Sequence, residues 1–202
     1  MSGVWSSLLV EILGMVLAGL TIKLMDDTLD VEFDRSVGRH TLSVRLGRAC
    51  LPYGLMLFGG AMALAPQVAL ALFLASYAIG MGHDLSEVMP TKLPGWVESL
   101  LALAFAMLFA GPVLAAWALF VMIMIQLLDD LMDVQHDRRS GQTNWALRIG
   151  TVEATLLLFI TALAAVLLAP LLTAEVIVAM PLVHFLMAVL SGIRWRERGE
   201  QN

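Results

Sequence analysis

Eight aspartates in two stretches carry the chemistry that this sequence could do. Residues 24–47 read LMDDTLDVEFDRSVGRHTLSVRLG and residues 127–150 read LLDDLMDVQHDRRSGQTNWALRIG, and the two align without a gap at an offset of 103. Asp26, Asp27, Asp30, Asp34, Arg35, Gly38, Arg45 and Gly47 meet Asp129, Asp130, Asp133, Asp137, Arg138, Gly141, Arg148 and Gly150. On a helix the spacing of Asp27, Asp30 and Asp34 places them within an arc of about 60°, which Asp26 widens to about 100°. The second set repeats that spacing. Like charges on one helical face repel each other, and a shared divalent cation relieves the repulsion. Oxygen-only ligands favour Mg²⁺ or Ca²⁺ over zinc, and a calcium loop of the D-x-D-x-D-G kind needs a tight turn that this spacing lacks. Mg²⁺ leaves coordination positions open for phosphate oxygens. Arg35, Arg39, Arg138, Arg139 and Lys92 then supply the complementary cations for a phosphorylated partner. All eight aspartates are candidate metal ligands; Asp27, Asp30, Asp34, Asp130, Asp133 and Asp137, with Lys92, form the candidate catalytic set. The bland alternative is a solvated helix end, against which two copies in register argue.

The elements that must position these acids are apolar. The chain is 59% hydrophobic and 14% charged, where a soluble domain is nearer half apolar and a quarter charged. The expected class is an all-α polytopic membrane helix bundle, with no nucleic-acid partner. No cleavable signal pattern precedes the first apolar stretch, 4–25, which is long enough to span. A single cysteine, Cys50, excludes an internal disulfide and a thiolate metal cluster. The apolar block 49–82 is broken at Ala65-Pro66-Gln67, 95–128 at Gly111-Pro112, and 151–193 at Ala169-Pro170. Each block reads as a helical hairpin, which gives seven helices. The whole chain, 1–202, forms one membrane domain with parallel repeats at 4–82 and 112–193 and a connector at 83–111. With seven helices every Lys and Arg falls on one side, which the positive-inside rule makes cytoplasmic. The N-terminus is then outside, and both acidic stretches lie at one cytoplasmic mouth.

A dry helical cavity behind a metal–diphosphate mouth suits an isoprenoid tail. The two acidic stretches resemble those of the UbiA superfamily of intramembrane prenyltransferases, which carry an N/D-D-x-x-D-x-x-x-D motif in each half. Asp26-Asp27-x-x-Asp30-x-x-x-Asp34 and Asp129-Asp130-x-x-Asp133-x-x-x-Asp137 match it, the first with Asp26 where asparagine is usual. Arg138-x-Ser-Gly-x-Thr-Asn is similar to the continuation of the family's second motif. Tyr77 followed by Lys92-Leu-Pro-Gly is similar to its lysine-bearing loop. The resemblance covers most of residues 10–190. It implies a Mg²⁺-dependent enzyme that ionises an isoprenyl diphosphate and transfers the prenyl group to a lipophilic acceptor. Two other outcomes stay open: an intramembrane terpene cyclase, and a non-catalytic reduced paralogue that binds lipid diphosphates. The family usually has about nine helices; the first, which often supplies a basic residue to the acceptor site, has no counterpart here.

Three further residues are ambiguous in the sequence. Gln126 lies one turn before Asp130, placed either to orient it or to bond a neighbouring helix. His184 reads as a satisfied bundle histidine rather than a ligand. Glu11 sits inside the first span, where a charge is costly. Gly14, Ala18 and Gly19 beside it would let a helix approach closely, so a homodimer or partner-subunit contact through the first helix is expected.

Overall fold

The computed structural model describes residues 2–36, 38, 41–80 and 85–192, and their side chains except those of 2–5, 33, 34 and 36. Among the described residues there are ten α-helices and no strand: α1 Ser2–Leu29, α2 Val31–Ser36, α3 Leu42–Leu46, α4 Cys50–Leu64, α5 Pro66–Gly80, α6 Gly95–Ala110, α7 Pro112–Ser140, α8 Trp145–Ile149, α9 Thr151–Leu168 and α10 Pro170–Ser191. The chain forms two compact units: residues 1–69 with 175–202, and residues 70–174. Each unit holds one acidic stretch.

The apolar blocks break where proline dictates. Proline disfavours helical backbone in the residue before it and is itself well suited to a first helical turn. Ala65 (φ −143°, ψ 66°) and Ala169 (φ −151°, ψ 80°) leave the helical region just ahead of Pro66 and Pro170. Gly111 does so at φ 92°, ahead of Pro112. Four helices are long and apolar enough to cross a membrane: α1 over Ser6–Leu29, α7, α9 and α10. At 15, 15 and 16 residues, α4, α5 and α6 are shorter, about 22–24 Å against a hydrocarbon core of about 30 Å.

Packing inverts the soluble pattern. Small residues fill the interior: Ala61, Ala71, Ala75, Ala106, Ala118, Ala154 and Ala165 are wholly buried. Large apolar residues face outward, as Leu156, Phe159, Ile160, Leu163 and Leu167 do on α9. Water would penalise such a surface, whereas lipid matches it and lets small residues bring helices close. This is an all-α membrane protein.

In the first unit α1 packs on α4, with Ala18, Ala61 and Ala69 at the contact. A Cβ on Gly14 would sit 2.7 Å from the Ala65 Cβ, and one on Gly19 would sit 2.7 Å from Val183 Cγ2 of α10. The small residues of α1 therefore serve contacts within the unit. Glu11 is half-buried and lines a cleft with Ser6, Ser7 and Gln67. The Arg45 guanidinium donates to the Leu190 carbonyl at 3.0 Å, which caps the negative end of α10. His184 bonds the Met180 carbonyl through Nδ1 at 2.9 Å, the satisfied role expected of it.

In the second unit α7 packs against α6, α8 and α9. Leu127, Ala146 and Ala154 form its core beside Leu131, Val134 and Trp145. Trp117 Nε1 donates to Thr173 Oγ1 at 3.0 Å, with both side chains fully buried.

Candidate functional site

The two acidic stretches share a backbone order. A left-handed glycine, Gly38 (φ 73°) or Gly141 (φ 75°), turns the chain after the acids. Thr41 or Asn144 then caps a five-residue helix, accepting from Val44 N at 3.5 Å or Leu147 N at 2.9 Å. These short helices, 42–46 and 145–149, again lie 103 residues apart. A second positive-φ glycine, Gly47 or Gly150, follows each. Both conformations favour glycine because a Cβ is strained there.

One turn before each acidic pair stands a donor. Gln126 Nε2 donates to Asp130 Oδ1 at 2.9 Å. At the matching position Lys23 Nζ lies 3.2 Å from Asp26 Oδ2 and 3.6 Å from Asp27 Oδ1. Gln126 therefore takes the orienting role.

In the second stretch the acids divide. Asp130 and Asp137 are buried, each 7% exposed, while Asp133 is exposed. Asp130 Oδ2 accepts from Trp145 N at 2.7 Å. Asn144 Nδ2 donates to the Asp130 carbonyl at 2.7 Å and to Asp137 Oδ2 at 2.8 Å. Two of the predicted ligands thus fasten the return segment onto α7. The equivalent arc on an ideal helix does not make equivalent sites, because the returning chain covers only one side of it. Asp129 is half-buried. Arg138 and Arg139 are exposed in the last turn of α7, where the helix dipole also favours cations. A cleft of about 340 Å³ opens on the return segment, and Asn144 and Arg148 contribute to its wall. Arg148, aligned in the repeat, was not among the expected site residues.

The first stretch departs from the expected unbroken helix. α1 ends at Leu29, Asp30 occupies a turn, and Asp34 lies in α2. Two hydroxyls converge on one carbonyl in the last turns of α1. Thr28 Oγ1 donates to the Leu24 carbonyl at 2.6 Å, as does Ser43 Oγ at 3.3 Å. Such back-bonding competes with the helix ladder. The second stretch has Leu131 and Ala146 at those positions, both in its apolar core, and α7 runs on. Asp26 and Arg35 are exposed, and Asp27 and Asp30 half-buried. The Asp34 side chain and Arg39 lie outside the described residues.

Lys92 stands on the loop before α6. Lys92 N donates to the Met89 carbonyl and Met89 N to the Leu93 carbonyl, both at 2.8 Å. Glu98, in the first turn of α6, accepts from the hydroxyls of Tyr77 and Thr91 and is buried. Sequence reasoning passed over Glu98. An acid opening an apolar run, seven residues after a threonine, was the available signal.

Among the described residues, no group of three or more His, Cys, Asp or Glu side chains converges as a ready metal cage. The donor set is nevertheless all carboxylate oxygen. Mg²⁺ characteristically takes one or two carboxylates and completes its shell with water and phosphate oxygens, so these residues fit that ion without a cage. No family model, curated protein or solved structure matches this chain.

Proposed function

We propose that this protein is a Mg²⁺-dependent intramembrane prenyltransferase that takes an isoprenyl diphosphate and passes the prenyl group to a lipophilic acceptor. The observation that carries the reading is the doubled acidic stretch with its doubled backbone order. A solvated helix end needs no donor one turn before the acids, no pair of left-handed glycines and no capped return helix. Asp26, Asp27 and Asp30 in the first unit, and Asp129 and Asp133 in the second, would each offer carboxylate oxygens to an ion. When bound, Mg²⁺ would supply Lewis-acid stabilisation of the charge that develops on the leaving diphosphate. Arg35, Arg39, Arg138, Arg139 and Lys92 neutralise the remaining charge. The apolar helices keep water from the allylic carbon as its C–O bond breaks. A second reading, a non-catalytic binder of lipid diphosphates, is favoured by the use of Asp130 and Asp137 as structural acceptors. The test is to incubate the protein in lipid nanodiscs with radiolabelled farnesyl diphosphate and a membrane lipid extract, in Mg²⁺ or EDTA. Transferase activity yields a labelled prenyl lipid only in Mg²⁺. A labelled hydrocarbon points to cyclisation, and bound but unchanged diphosphate to the binder.

The same proposal carries the topology of seven spans with the acids on the cytoplasmic side, supported by the one-sided Lys and Arg distribution. After Cys50→Ala, single cysteines at the exposed positions Gln67, Val113 and Leu171 should label from outside the cell. Cysteines at Ser86 and Thr143 should label only after permeabilisation. Labelling of the Thr143 variant in intact cells would exclude seven spans.

A further inference from the structure

The loop before α6 places a lysine where the backbone asks for glycine. Val88 and Pro94 form an isolated antiparallel bridge, and the Lys92 N–H and Met89 N–H bonds close a three-residue loop of Pro90, Thr91 and Lys92. Loops of this length end on a left-handed residue, most often glycine. Lys92 adopts φ 67° and is the only non-glycine residue with positive φ among the described residues. An L side chain is disfavoured there by the approach of its Cβ to the following carbonyl oxygen. Such strain persists only when its surroundings over-determine it.

The surroundings here are specific. One Glu98 oxygen takes the Thr91 hydroxyl and the other takes the Tyr77 hydroxyl. Thr91 Oγ1 in turn accepts from Leu93 N at 3.3 Å. The neighbours of Lys92 on both sides are therefore tied to one buried carboxylate in the first turn of α6, where the helix dipole favours a negative charge. Two more ties hold the loop's base: Gly95 N to the Glu87 carbonyl and Trp96 N to the Leu85 carbonyl, both at 2.9 Å. Ser99 Oγ reaches the Ala78 carbonyl of α5 at 3.2 Å. The Lys92 side chain itself is exposed. A buried acid that takes two hydroxyls, one of them beside an unfavourable backbone, and leaves the lysine side chain exposed is a device for presenting that ammonium.

We propose that Glu98, with Tyr77 and Thr91, is a positioning residue that fixes the left-handed turn at Lys92 so that its ammonium is preset for a diphosphate oxygen. This rests on the proposed function for the identity of the anion; the clamp itself stands on the loop geometry. An ammonium on a loose loop would have to be ordered on binding, and presetting it removes that cost.

The test uses the full-length protein in nanodiscs, with hydrogen exchange of segment 85–96 and Mg²⁺-dependent binding of farnesyl diphosphate as separate readouts. Thr91→Val and Glu98→Ala should speed exchange of the segment and weaken binding about tenfold, while Thr91→Ser restores both. Lys92→Gly should weaken binding by a similar factor and leave exchange as slow as in the wild type or slower, because glycine relieves the strain. Glu98→Ala combined with Lys92→Gly should bind no more weakly than Lys92→Gly alone. Full, independent losses in the double variant would overturn the positioning role while leaving the diphosphate reading intact. Unchanged exchange in Thr91→Val and Glu98→Ala would overturn the clamp. Wild-type protein that fails to bind farnesyl diphosphate in Mg²⁺ would overturn the proposed function, and with it the anion assigned to Lys92. Should Glu98→Ala fail to assemble, Thr91→Val with its Thr91→Ser control decides the matter alone.

Discussion

Asn144→Ala should destabilise the protein by about 3 kcal/mol, the largest loss expected of any single polar side chain near the acidic stretches. Asn144 is 5% exposed and serves three partners at once. Its Oδ1 caps Leu147 N, and its Nδ2 donates both to the Asp130 carbonyl and to Asp137 Oδ2. A cap is worth about 1 kcal/mol, and a hydrogen bond to a charged group about 1.5–3 kcal/mol. Truncation also leaves the Asp137 carboxylate buried without its donor, which adds a desolvation cost. Asn144→Asp separates the parts: it keeps an oxygen for the cap but sets a second carboxylate against Asp137, so it should lose nearly as much. Thr41→Ala, at the matching position of the first stretch, should lose only about 0.5–1 kcal/mol, because Thr41 provides the cap alone. Thermal unfolding in mild detergent with limited proteolysis of 138–150 reads all three. An Asn144→Ala protein as stable as the wild type would mean that the return segment is held by its apolar contacts, with the amide irrelevant.

Asp133→Ala and Asp130→Ala should part company although they lie one turn apart. Asp133 is exposed, so its truncation should leave stability within about 0.5 kcal/mol. If it holds Mg²⁺ for a diphosphate, the same change should weaken Mg²⁺-dependent farnesyl diphosphate binding on the order of a hundredfold. In EDTA the variant and the wild type should then be alike. Asp130→Ala should lower stability as well, by about 1–3 kcal/mol, because the part-buried Trp145 N–H loses its acceptor. Calorimetric binding and unfolding of both variants check the pair. Wild-type affinity in Asp133→Ala would reduce the exposed acids to solubilising a helix end.

The contrast between these two aspartates shows where sequence stops. Composition pointed to the membrane class, because 59% hydrophobic and 14% charged residues depart from the roughly half apolar and quarter charged make-up of a soluble domain. Proline set the breaks at 65–66, 111–112 and 169–170, since its effect on the preceding residue is local and needs no partner. The offset of 103 was legible because glycine at a left-handed turn and a capping side chain are local requirements, and both recur in the structure. What the acids do was not legible. Periodicity placed Asp130, Asp133 and Asp137 on one arc, but the partners of Asp130 and Asp137 come from the return segment up to fifteen residues on. The contact of Ser43 with the Leu24 carbonyl joins residues nineteen apart in the chain. The small residues of α1 suited any close helix, and only packing set Gly14 against Ala65 and Gly19 against Val183. Glu98 escaped notice for the same reason: Tyr77 lies 21 residues away in the chain. A residue's backbone preference is written in its neighbours, whereas the partner of a buried polar group is chosen by tertiary structure.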